Sequence, residues 1–460
     1  MNPVLLGILG YVAAQLLIVF LIARRMRGES DYLLAGRRLG PGLATFTIFA
    51  TWFGAETCIG AAGAVYDGGL AASTADPFGY ALCLLLMGAV FAAPLWRRKL
   101  TTFADLFRNR FSPGVERLAA LLLVPTSVMW AAAQIRAMGQ VISSTSSFDV
   151  ELAIALAAGV VVVYTVYGGL LADAYADLIQ GIMLMIGLVV VLFATVQAVG
   201  GLDAAFAAID PEKLQLFGGP DPPPLQVLER WAVPVLGSML AQELIAVILA
   251  SRSPRIAQRA ALAGGGLYLA FGLIPVFIGL IGARLLPGLD EPEQLLPLIA
   301  QRHLSTFFYI MFAGAIVSAI LSTVAGALLA AASIASHNLV VPLRPDLSSS
   351  ARVGVARGAV VLGGIGAWLL ARHADSVYAL VEEASAFGSS GIVTAALFGL
   401  FTRFGGVRAA FAALVMGVIT WITGQYVLHL PYPYLTSVAV AFSAYMLFAL
   451  TEPRARLAHA

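Results

Sequence analysis

Long apolar runs, each cut off by a short cluster of arginine, proline or glycine, recur along the whole chain. A bilayer core takes about 20 apolar residues per helix. On that measure the chain reads as thirteen spans, over 4–23, 43–66, 77–96, 116–144, 150–168, 174–199, 228–251, 259–283, 306–336, 353–373, 376–402, 407–429 and 434–451. The expected fold is therefore an all-α polytopic membrane protein lodged in a lipid bilayer. The longest connection, 201–227, holds a short amphipathic piece and a proline-rich turn. No stretch remains for a catalytic or nucleotide-binding domain.

The basic residues divide unevenly between alternate connections. One side carries Arg24, Arg25, Arg37, Arg38, Arg97, Arg98, Lys99, Arg108, Arg110, Arg252, Arg255, Arg259, Arg344, Arg403 and Arg408; the other has only Lys213, Arg230, Arg284, Arg302 and Arg372. Cytoplasmic loops concentrate lysine and arginine. The N-terminus is expected outside and the C-terminus in the cytoplasm, as an odd number of spans requires. The first span has its basic cluster after it rather than before, which marks a membrane anchor and not a signal peptide. The expected location is the cell (inner) membrane.

Composition excludes most other classes. Of 460 residues 60% are hydrophobic and 11% charged, far less charge than a soluble domain holds. A net charge of +2 gives no reason to expect nucleic acid. Cys58 and Cys83 lie inside apolar runs and imply no disulfide framework. The five histidines form no metal-binding pair of the HExxH kind, and no nucleophile–base arrangement suggests an enzyme. The sequence carries no sign of oligomeric state.

Setting aside the first span and the last two leaves ten, which split five and five from residues 43 and 228. An odd number of crossings inverts the second half relative to the first. Inverted five-helix repeats with an interrupted first helix in each half are a transporter architecture. The expected plan is an extra helix and loop (1–40), a first repeat (41–200), an external loop (201–227), a second inverted repeat (228–404), and two final helices with a tail (405–460). The first and sixth core helices should be broken.

Two stretches carry candidate chemistry. In FFYIMFAGAIVSAILSTVAGALLAAASIASHN (307–338), Ser322 and Thr323 fall three and four places after Ala319, so both hydroxyls lie over its carbonyl. Intramembrane Ser and Thr also commonly bond back to their own helix. In TFTIFATWFGAETCIGAAGAVYDGG (45–69), Gly54, Gly60 and Gly63 weaken the helix, and Thr51, Glu56 and Thr57 are polar. A break near Gly54 would free the carbonyls of Ala50 and Phe53. Five such oxygens suit a hard cation such as Na⁺.

These residues carry a resemblance to the sodium:solute symporter family, with its leucine-transporter-type fold. DYLLAGRRLG (31–40) is similar to the family's opening signature, YTVYGGLLADAYADLIQG (164–181) to its pattern entering the fifth core helix, and SAILSTVAGALL (318–329) to its eighth. The resemblance implies that Ala50, Phe53, Ala319, Ser322 and Thr323 hold sodium and that Asp177 lies on its cytoplasmic exit path. Where some members bind a second sodium, this chain has Ala325 and Gly326, so one Na⁺ per cycle is expected, with no organic cofactor.

The solute is a small organic molecule. A charge within the membrane costs roughly 2.5–3.5 kcal/mol and tends to be functional. Arg136 is the cation placed well inside a span, and its fork suits a carboxylate. It could equally pair with Glu56 or Glu243. A carboxylate-bearing solute is expected, with Trp52, Glu56, Thr57, Arg136 and Gln242 as candidate contacts. Glu243, Glu382 and Glu383 are weaker ones; adjacent acids point about 100° apart, so at most one of the last two faces the pathway. The competing readings are a proton-coupled carrier using Asp177 or Glu56, and a sensory membrane module acting with a separate kinase.

Overall fold

The computed structural model describes residues 3–23, 29–145, 148–219, 222–374 and 377–452. Arg24 and Arg25, expected just after the first span, lie outside them. The long helices are α1 (Pro3–Ala23), α2 (Pro41–Trp52), α3 (Glu56–Gly68), α4 (Leu70–Arg97), α5 (Pro113–Thr145), α6 (Val150–Val199), α7 (Pro224–Gly237), α8 (Gln242–Ala250), α9 (Pro254–Leu285), α10 (Thr306–Leu343), α11 (Ser349–His373), α12 (Val377–Phe401), α13 (Val407–Val427) and α14 (Pro433–Thr451). Among the described residues no strand forms. Nine helices among the described residues are long and apolar enough to cross a membrane, or eleven if each of two bent pairs is one span. Thirteen is reached only if α1 and both limbs of α6 are each counted.

Several boundaries differ from expectation for identifiable reasons. The gap expected at 169–173 is instead a single turn at Gly169, whose φ of 66° is open to glycine. Helix resumes at once and continues to Val199. The connection at 201–227 is partly helical, and α7 starts at Pro224, where proline suits a first helical position.

Both expected interruptions are present. α2 and α3 meet at 59°, and α7 and α8 at 42°. At the first, Phe53 leaves the helix with φ −91°, ψ 71°. A Cβ on Gly54 would lie 2.6 Å from Gln134 Oε1, so only glycine lets that amide approach the break. At the second, a Cβ on Gly237 would lie 2.3 Å from the Ser385 carbonyl oxygen. The ends of α2 and α8 are joined on the arginine-rich side. Leu39 N–H donates to Ala250 O at 3.1 Å, and Arg252 N–H to Leu39 O at 2.9 Å.

α10 is the central post. In its most apolar 18-residue stretch 94% of residues are buried, against 22% in α11. It packs on α1, α2, α5, α6, α8 and α11. Its small residues allow that crowding, which is how helices associate where lipid supplies no hydrophobic drive.

Candidate ion and solute site

The break in the first interrupted helix meets the middle of α10. Thr323 Oγ1 lies 3.1 Å from the Ala50 carbonyl and 3.0 Å from that of Ala319. One hydroxyl hydrogen faces two carbonyl oxygens, so the cluster has more lone pairs than hydrogens. Ser322 donates to Asp177 on α6, and Asp177 Oδ2 is buried without a partner. Ser318, one turn earlier on α10, has a buried hydroxyl with no partner. Phe53 is fully buried at the break, its N–H still bonded to Phe49 O at 2.8 Å. Carbonyl, hydroxyl and carboxylate oxygens are the donors hard cations take.

Beside this cluster three aromatic rings form a corner. Trp52 lies 5.3 Å from both Tyr80 and Trp130, and Tyr80 lies 5.8 Å from Trp130, centroid to centroid. Trp52 and Trp130 line a small cavity with Thr51, Ser238, Glu243 and Ser385. Glu243 Oε1 is buried without a partner. Tyr80 also lines a larger cavity of about 360 Å³, which includes Arg230, Tyr378 and Glu382 and lies toward the arginine-poor face.

The other sequence candidates are placed differently. Gln134 Nε2 donates to Glu56 Oε2 and its Oε1 accepts from Ala55 N–H at 3.1 Å, so Gln134 braces the break and occupies Glu56. Arg136 donates to the Ala371 carbonyl at 3.0 Å. It also acts on Glu293, whose carboxyl is raised by burial and drawn back by the Arg136 charge. Thr57 turns to Asp76 and Tyr268. Gln242 accepts from Phe103 N–H at 2.8 Å and faces Ser333. Of the adjacent acids, Glu382 lines the large cavity, while Glu383 accepts from Tyr426 at 2.8 Å.

Trp130 and Gln134 were not singled out in the sequence. They stand four apart in MWAAAQ and so share one helix face, a signal that the nearby Arg136 obscured.

On the arginine-rich side Asn338 centres a polar knot. Asn338 accepts from Thr102 Oγ1 at 2.6 Å and donates to Asp105 at 2.9 Å and Glu116 at 2.7 Å. Burial pushes the Asp105 carboxyl up. His337 and the N–H groups of Thr101 and Thr102 outweigh that and hold it below its usual value.

Two broken helices packed around a post that presents oxygen donors are the arrangement seen in secondary transporters. The sequence profile of the sodium:solute symporter family matches residues 32–417. The chain belongs to that family, which implies Na⁺ as coupling ion and a small-molecule solute. It is 29% identical over 76% of its length to the high-affinity choline transporter 1 of Drosophila melanogaster, of which it spans 58%. It is 24% identical over 91% of its length to the sodium/proline symporter of Haemophilus influenzae, covering 87% of that protein. Its fold is similar to that of a Na⁺-coupled sialic acid symporter in a substrate-bound outward-open state, with a TM-score of 0.86, 17% identity and 99% of each chain covered.

Proposed function

We propose that this chain imports a small organic solute with one Na⁺, and that the solute carries a positively charged nitrogen held in the corner of Trp52, Tyr80 and Trp130. The observation that carries this reading is the three mutually close rings beside the partnerless carboxyl oxygen of Glu243. Aromatic faces attract cations by their quadrupole, by about 0.5–2 kcal/mol, and favour quaternary ammonium groups. Relatives named as choline transporters support the same chemistry. One sodium is held by the carbonyls of Ala50, Phe53 and Ala319 with the hydroxyls of Ser322 and Thr323. Asp177, bonded to Ser322, receives it on the way out. Ala325 and Gly326 offer no hydroxyl for a second. The arginine-rich face is cytoplasmic by loop charge.

Sodium ties the broken helix to α10 and favours the state that takes solute from the side of the large cavity. Loading closes that side, and the knot at Asn338 opens. The ion shifts this equilibrium only through its differential affinity for the two states. A second reading, a zwitterion whose carboxylate faces outward, is favoured by Arg230 in the large cavity and by the proline transporters among the relatives. In this reading Arg230, not Arg136, is the carboxylate's partner.

The test is a thermal-shift titration of the purified protein with choline and with proline, each in Na⁺ and in K⁺. Stabilisation by choline in Na⁺ alone supports the first reading. Stabilisation by proline alone, lost in Arg230→Ala, moves the assignment to the second. Equal stabilisation in K⁺ removes sodium coupling.

A further inference from the structure

A polar cluster behind the broken helix takes no part in the ion and solute readings. Thr57 on α3, Asp76 on α4 and Tyr268 on α9 close a ring. Thr57 Oγ1 lies 2.9 Å from Asp76 Oδ2, the Tyr268 hydroxyl 2.9 Å from Asp76 Oδ1, and the two hydroxyls 2.8 Å from each other. All three side chains are buried at 0% exposure.

Counting hydrogens shows what the ring requires. Each of the three contacts needs one hydrogen between its two oxygens. Threonine and tyrosine bring one each, and an ionised aspartate brings none. The third contact would then set lone pair against lone pair in a buried position. A neutral carboxyl supplies the missing hydrogen. Asp76 then donates to Tyr268, Tyr268 to Thr57, and Thr57 back to Asp76. Each of the three side chains then gives one hydrogen bond and takes one.

We propose that Asp76 is a proton-binding site, loaded in this conformation, whose proton closes the ring that seats the outer limb of the first broken helix against α4 and α9.

The surroundings favour a ring completed from within. A Cβ on Gly272 of α9 would lie 2.5 Å from Pro77 Cβ, so α9 presses directly on the Asp76–Pro77 turn. The titratable side chains that face Asp76 are Glu56 and Cys58 on α3, Tyr80 on α4, Tyr268 on α9 and Tyr378 on α12. Among the described residues no basic side chain pairs with Asp76. Glu56 has one oxygen held by Gln134 and the other without a partner, so two acids share this region with no base between them. The proton belongs to the ring geometry and not to the sodium cluster, which lies on the α10 side of the break.

The sign follows from the ring. The bonds are complete while the proton is bound. As pH rises and the proton leaves, one contact becomes repulsive and the seat of α3 loosens.

Infrared difference spectroscopy of the purified protein, with neither solute nor sodium gradient, tests this without reference to the solute. At neutral pH the wild-type spectrum should contain the carbonyl stretch of a protonated carboxylic acid that disappears in Asp76→Asn. Asparagine puts an N–H donor and a carbonyl acceptor in the same places, with one further N–H left over, so this variant should fold with a modestly lower melting temperature at neutral pH. It should also lack the wild-type decline in melting temperature at alkaline pH. Tyr268→Phe removes the acceptor of the acid's hydrogen and should move the same band to higher frequency, a second reading should Asp76→Asn not fold. A spectrum in which neither variant changes any carboxylic acid band overturns the proposal. So does an alkaline decline that survives unchanged in Asp76→Asn.

Discussion

The two interrupted helices are the same device put to different ends. At the first, the chain bends by 59° and presents oxygen: the Ala50 carbonyl faces Thr323, and Gln134 clamps the turn from the side. At the second, the bend is 42°, and Gly237, Ser238 and Ala241 form a wall of the small cavity. There the polar contacts include a hydroxyl pair, Ser238 to Ser385 at 2.8 Å, and Gln242, which accepts from Phe103 N–H at 2.8 Å. On the reading proposed above, a broken helix does not by itself make an ion site. It becomes one where a neighbouring helix brings hydroxyls to the freed carbonyls. Without them the break is a surface against which something else can fit.

The largest expected effect comes from removing that neighbour. Thr323→Val should weaken sodium binding at least tenfold, about 1.4 kcal/mol, and lower solute affinity with it, since coupling is reciprocal. Sodium titrations of melting temperature, with and without solute, measure both. Solute binding that keeps its sodium dependence in this variant would falsify the division of labour between the breaks. Gly237→Ala attacks the other break, by pressing a methyl group against the Ser385 carbonyl. Overpacking costs about 1–3 kcal/mol, so solute affinity at saturating Na⁺ should fall about tenfold while the solute-free sodium titration stays in place. A parallel loss of sodium affinity would mean that the two breaks act as one site.

Smaller effects sharpen the picture. Trp130→Leu removes one ring of the aromatic corner and should weaken choline binding by roughly threefold to thirtyfold, the range of a cation–π contact. Proline binding, if present, should change less. Acid should act on the opposite side of the molecule. Asp105 has its carboxyl held below the usual value, so its contribution is full above the ordinary carboxylate range and is lost as pH falls through the lowered one. Tryptic cleavage near the arginine-rich face should increase at that acid limit. In Asn338→Ala it should already be raised at neutral pH, with a weaker acid step.

The sequence made the architecture readable because bilayer thickness, loop charge and glycine placement each leave a linear trace. Ala319, Ser322 and Thr323 sit within one turn, so their clustering could be read before any fold was known. The solute side was less legible. Trp52, Tyr80 and Trp130 come from three helices, and nothing along the chain says that their rings meet. Arg136 drew attention as a lone charge, yet its guanidinium reaches the Ala371 carbonyl, an acceptor that no sequence pattern marks. Thr57 and Gln242 were noticed as polar residues at the right depth. Their partners, Asp76 and the Phe103 amide, lie on other elements, and only packing decides which way such side chains turn.

The pair of backbone bonds between Leu39 and the segment Ala250–Arg252 reaches beyond its size. It fastens the inner half of one discontinuous rod to the inner half of the other, across more than two hundred positions of sequence. Neither limb can tilt at that end without dragging its twin. On the arginine-rich side the two limbs are thus coupled into one two-rod unit, while no such strap ties their other halves together among the described residues.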